Sequence, residues 1–83
     1  MELKDTVENM LSDDYRKRLQ AEYCQTAIRR KKLHTALKNW EKGKNPNLKA
    51  PFACRNQWAA MGEYLTALEY RMKEDDIPIP ETD

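Results

Sequence analysis

The stretch Leu19–Trp40, LQAEYCQTAIRRKKLHTALKNW, decides how this chain folds. Leu19, Tyr23, Thr26, Arg30, Leu33, Leu37 and Trp40 recur at alternating steps of four and three residues. That spacing puts them on one stripe of a helix, the kind of seam along which helices pack at a shallow angle. Neither Gly nor Pro interrupts the chain between Met1 and Lys42. Ser12-Asp13-Asp14 reads as a start signal, with side-chain oxygens for the orphan amides and negative charge at the positive helix end. The pattern predicts a long helix over 13–42, with Gly43 as the residue just past its end. A short helix over 2–11 precedes it, with Leu3, Val7, Met10 and Leu11 on one side.

A second stripe follows. Cys54, Trp58, Met61, Leu65, Leu68 and Met72 step by four and three in the same way and predict a helix over 53–74. Lys44–Pro51 reads as the loop between them, with Pro46 and Pro51 excluding helix. So short a connection makes the two helices antiparallel neighbours. Placing Trp40 beside Trp58 at the loop end sets Leu33 opposite Leu65, Arg30 opposite Leu68, and Thr26 level with Arg71 and Met72. Gly62 lies inside the second helix at a cost of about 1 kcal/mol relative to Ala, which suggests a close helix approach. The fold class is all-α, one domain over 1–76, with an extended or disordered tail over 77–83 whose Ile77 and Ile79 are free to dock on a neighbour.

Composition narrows the function. Of 83 residues, 35% are charged and 40% hydrophobic, a mixture too charged for a membrane span and too apolar for wholesale disorder. No apolar run reaches the roughly 18 residues of a spanning helix, and MELKDTVENM does not read as a signal peptide. Net charge is only +1, yet Tyr15–Lys44 holds ten Lys/Arg against Glu22 and Glu41 alone. Charge so polarised suits a small anion or an acidic partner better than long duplex nucleic acid, which favours a broad basic surface. A two-helix hairpin leaves Tyr15, Ala27, Ile28, Ala36, Ala60, Tyr64, Ala67 and Tyr70 off the seam. A chain this small gains from covering such a face, so a homo-oligomer is expected.

Catalytic sets are missing from the pattern. His34 is the sole histidine, on a helix beside Leu33, and reads as a surface or packing residue. Cys24 and Cys54 have no metal-ligand spacing and fall at different levels of the hairpin. No glycine-rich phosphate loop occurs. The chain reads as a non-enzyme with no metal and no cofactor. What stands out is the polar break in the seam at Thr26 and Arg30. A guanidinium there must reach water, pair with an acid such as Glu69, or face an anion. Arginine forks suit phosphate and tyrosine faces suit purine rings, and the chain sets Tyr15 with Arg16, Tyr23 with Arg30, and Tyr70 with Arg71. Three functions compete at this point: a nucleotide-binding module, a helical protein-interaction module inhibiting a host protein through the Arg29-Arg30-Lys31-Lys32 face, and a small nucleic-acid binder.

The second helix also resembles a known family. Gln57, Ala60-Met61, Tyr64, Leu68 and Arg71 follow the pattern Q-x-x-A-M-x-x-Y-x-x-x-L-x-x-R. That pattern is similar to the hairpin helix of the type 2 anti-CBASS sponges of phages, related to the type 1 anti-Thoeris sponges. AEYCQTAIRRKKLHTAL resembles the family's first hairpin helix, so the likeness covers about residues 15–73. It implies a homo-oligomer, typically a hexamer, acting in the host bacterial cytoplasm. Such sponges sequester cyclic di- and trinucleotide messengers without cleaving them. It further implies a trinucleotide pocket lined by Thr26 and Arg71, and a dinucleotide pocket with Tyr15 stacking and Arg29 or Arg30 on phosphate.

Overall fold

A computed structural model describes Leu3 and residues 14–82. The expected short helix over 2–11 lies outside the described residues apart from Leu3. Two helices pack against each other: α1 over Tyr15–Glu41 and α2 over Pro51–Glu74. Among the described residues, no helix is long and apolar enough to cross a membrane.

Local chemistry explains each helix end. Asp14 caps α1, its Oδ1 accepting from the Arg16 amide at 2.9 Å and so satisfying one of the orphan donors of the first turn. At the other end Gly43 takes φ +76°. Its amide donates to Trp40 O at 3.0 Å, and the Lys44 amide donates to Asn39 O at 2.8 Å. These are the two bonds of a Schellman stop, which needs a left-handed residue where Gly43 stands.

Pro51 opens α2 instead of closing the loop, a correction to the expected start at 53. At the first helical position its missing N–H costs nothing, and its φ is already helical. The preceding Ala50 is left-handed at φ 51° and offers no side-chain cap. α2 ends in a second Schellman stop with Asp76 at φ 54°, the Ile77 amide donating to Met72 O at 2.8 Å. The expected apolar contact between those two residues is made as well. Ile77 is 4% exposed and packs with Leu19, Leu68 and Met72, with half-buried Tyr23 alongside.

The expectation that Ile77 docks on a neighbour is therefore overturned: it enters the core of its own chain. Gln20 Nε2 donates to Pro78 O at 2.9 Å and holds the tail against α1. Ile28, expected to face another copy, is buried at 7% exposure. With Ala21 and Cys24 it forms a second buried stripe beside the seam of α1, and burial pushes the Cys24 thiol up from its usual value.

Seam residues pack as the periodicity requires, but in a different register. Trp40 meets Phe52, ring centroids 6.2 Å apart and edge-on. Glu41 pairs with Arg55 at 2.9 Å. Trp58 lies lower, beside His34 and Arg30, and Tyr23 reaches Glu69. Each residue of α1 thus faces α2 about six positions earlier than the Trp40–Trp58 alignment requires. Because α2 begins at Pro51, Phe52 takes the place beside Trp40 that the Trp40–Trp58 alignment assigns to Trp58.

Candidate functional site: a cationic groove between the helices

An open groove of about 620 Å³ runs between the two helices. α1 contributes Tyr23, Arg30, Lys31 and His34; α2 contributes Trp58, Gly62, Thr66 and Glu69; Thr82 of the tail reaches its edge. Arg30 is the central feature. Its Cζ lies 4.1 Å from the centroid of the Trp58 ring, and its Nε donates to Trp58 O at 3.0 Å. A cation on an indole face gains about 0.5–2 kcal/mol, more as water is excluded. Neither contact neutralises the charge, and Arg30 makes no ion pair with a described carboxylate. The nearest acid in the groove, Glu69, is engaged by the Tyr23 hydroxyl, which donates to Oε1 at 2.7 Å. Burial, then that bond, pushes the Tyr23 hydroxyl up to about 12. Trp58 also stacks on His34, with ring centroids 5.5 Å apart and planes 23° apart.

A second polar cluster sits at the other end of the hairpin, away from the loop. The Tyr15 hydroxyl donates to Asp75 Oδ2 at 3.2 Å and accepts from Arg71 Nη2 at 3.1 Å. Arg71 Cζ lies 5.9 Å from the Tyr15 ring. Arg16 Nη2 donates to the carbonyls of Asp75 and Asp76 at 3.2 and 3.4 Å, a favourable place for a cation at a helix C-terminus. Nearby, the Tyr64 hydroxyl donates to Glu22, and that bond first, with burial second, raises the Tyr64 hydroxyl above its usual value. Three carboxylates, Glu69, Asp75 and Glu22, thus accept from tyrosine hydroxyls, while Glu41 pairs with Arg55.

The Sequestin family model matches residues 13–74, three quarters of the chain and both helices in full. This chain belongs to the Sequestin family. Sequestins are the sponge family that sequesters cyclic nucleotides, in keeping with the resemblance seen in the sequence. The family is a sequestering one and carries that general role to this chain. No curated protein and no solved structure matches it.

Within this sequestin the predicted site residues divide into groups. Tyr23 and Arg30 meet in the groove. Tyr15 and Arg71 meet at the far end, joined by a hydrogen bond. Thr26 is half-buried but not level with Arg71. In the observed register it faces α2 about five residues before Arg71, roughly 7 Å along the axis. Arg29 is exposed, and Tyr70 is exposed at 69%. Trp58 and His34 escaped the sequence reading as site residues, and Lys31 entered it only as part of a protein-docking face. Trp58 looked like plain seam, and His34 like surface. One signal was available: an arginine on a seam needs a partner, and the tryptophan on the facing seam is the best π-face the chain offers.

Proposed function

We propose that this chain is an anti-defence sponge that binds cyclic di- or trinucleotide second messengers in the bacterial cytoplasm, without cleaving them, and so silences CBASS-type signalling. One observation carries the proposal: a cationic groove in which a guanidinium is held on an aromatic ring and has no carboxylate partner among the described residues. Phosphodiester oxygens are the natural complement of such a fork. Lys31 adds charge at the rim, and the Tyr23 and His34 rings supply aromatic edges for a base. Family membership supports the same ligand class.

A sponge acts by mass action, lowering free messenger only as far as its site concentration and dissociation constant allow. It therefore needs tight, saturable binding and no chemistry. We propose that the chain works as a homo-oligomer, with a hexamer expected from the resemblance. Phe52 at 70%, Tyr70 at 69% and Tyr64 at 41% exposure, with exposed Ala60 and Ala67 on the same helix, support such assembly.

The test is calorimetry of the purified protein against cyclic di-AMP, cyclic di-GMP and cyclic tri-AMP, with chromatography of the ligand released by denaturation. Saturable heat and intact ligand are expected. Absence of heat from all three sinks the proposal, and nucleotide-insensitive capture of a single host protein points instead to an inhibitor docking through Arg29, Arg30, Lys31 and Lys32. Sedimentation velocity with and without ligand reads the subunit count.

A further inference from the structure

Gly62 lies beneath the Arg30 guanidinium. A Cβ added at Gly62 would sit 2.7 Å from Arg30 Nη2, 3.0 Å from Cζ and 3.3 Å from Nε. All three nearest atoms belong to this one side chain, and none to the backbone of α1. The glycine is therefore not there to let two helix backbones touch. It clears a seat for a planar cation. Above the seat stands the Trp58 ring, 4.1 Å from Cζ, and the Trp58 carbonyl takes the Nε proton at 3.0 Å. Trp58 and Gly62 are one turn apart on α2, so a single rigid segment supplies the π-face, the acceptor and the gap.

We infer that Gly62 and Trp58 are positioning residues, which hold the Arg30 guanidinium in the groove before any ligand arrives and leave its Nη hydrogens to a phosphodiester. Arg30 Nε is spent on the carbonyl; neither Nη nitrogen hydrogen-bonds another described residue. A long, flexible arginine ordinarily loses rotamer freedom when it closes on a phosphate. Seated in advance, it has already lost that freedom on folding, so more of the contact energy appears as affinity. The inference rests on the sponge reading above and adds which residues make its cation effective.

The experiment separates a seat from a structural glycine. Gly62→Ala, Arg30→Ala, the double variant and Trp58→Phe are compared by calorimetry with cyclic di-AMP, cyclic di-GMP and cyclic tri-AMP. Ligand-free melting temperatures and the Arg30 Nε–H resonance are read alongside. Alanine is the better helix former, so Gly62→Ala should leave the melting temperature unchanged or raised. It should erase the protected Nε–H signal and weaken binding about tenfold, with total charge untouched. In the Arg30→Ala background, Gly62→Ala should alter affinity by less than about twofold, because the group it displaces is gone. Trp58→Phe keeps the carbonyl and a smaller ring, and should weaken binding by about threefold.

Wild-type affinity in Gly62→Ala overturns the inference while leaving the sponge intact. So does an undiminished loss in the Arg30→Ala background, or a collapse in melting temperature that Arg30→Ala does not relieve. A wild-type protein that binds none of the three nucleotides overturns the sponge, and the seat with it.

Discussion

The middle of the hairpin and its far end use the same materials differently. Each places an arginine near an aromatic ring and a tyrosine near a carboxylate. In the middle, Arg30 is half-buried, lies on the Trp58 ring and spends one nitrogen on a backbone carbonyl. At the far end, Arg71 is exposed, stands 5.9 Å from the Tyr15 ring and donates to its hydroxyl, which Asp75 also engages. Water competes for the second arginine and much less for the first. A charge is worth more to a ligand where the surrounding dielectric is low and its own side chain is already ordered. The contrast teaches that a cation–aromatic neighbour becomes a candidate site only when the fold desolvates it without neutralising it.

The contrast can be broken from the packing side. Ile77→Ala removes a buried side chain that pins the far end and should cost about 2–5 kcal/mol of stability, read by urea denaturation. The Arg30 Nε–H resonance should survive in the folded fraction, because Trp58 holds Arg30 and Ile77 does not line the groove. Loss of both together would show that the two regions are one cooperative unit.

Ligand binding sharpens the contrast further. Removing a charged hydrogen-bond donor to a phosphate costs about 1.5–3 kcal/mol, so Arg30→Ala should weaken cyclic-nucleotide binding about tenfold or more in calorimetry. Arg71→Ala should cost the groove ligand less than about threefold, as exposed charges contribute little. An equal loss in both variants would move the site to the far end, or to a surface shared between copies.

Tyr23 offers a milder probe through pH. Its folded value, about 12, lies above the ordinary 10.0. The folded state therefore holds that proton more tightly than the unfolded chain does. The stability this confers is complete below pH 10 and declines as pH rises toward 12. Melting temperature should fall across that window in the wild type and less steeply in Tyr23→Phe. Identical slopes would mean that Tyr23 has no linked proton.

The smallest effect concerns backbone alone. Ala50 holds φ 51° with no cap from its side chain. Ala50→Gly should relieve roughly 1 kcal/mol of left-handed strain and raise the melting temperature by a few degrees. It should leave ligand affinity unchanged, since Ala50 lies in the loop and outside the groove.

Much of the architecture was legible in order of locality. The four-three spacing from Leu19 to Trp40 and from Cys54 to Met72 announced two helices, because side-chain direction on a helix follows from residue number. Gly43 announced the end of the first, since a left-handed residue is needed there and glycine takes it freely. Pro51 misled, because a proline both stops one helix and starts another, and only the chain's path chooses between them. Arg30 was legible as a problem, a cation on an apolar seam. Its partner was not, since Glu69 stood as the obvious acid until the Tyr23 hydroxyl claimed it.

By itself the sequence determined the two helices, their stripes, the first stop and the polar break, because each depends on residues within a turn or two of one another. The tertiary structure alone decided the register, and with it which residues meet. Register is set by where the loop releases the chain and by which side chains interlock across the seam, neither of which is written at any one position. A shift of about six residues moved Trp58 from Trp40 to the level of His34, one turn from Arg30, and turned a seam residue into a wall of the cationic groove.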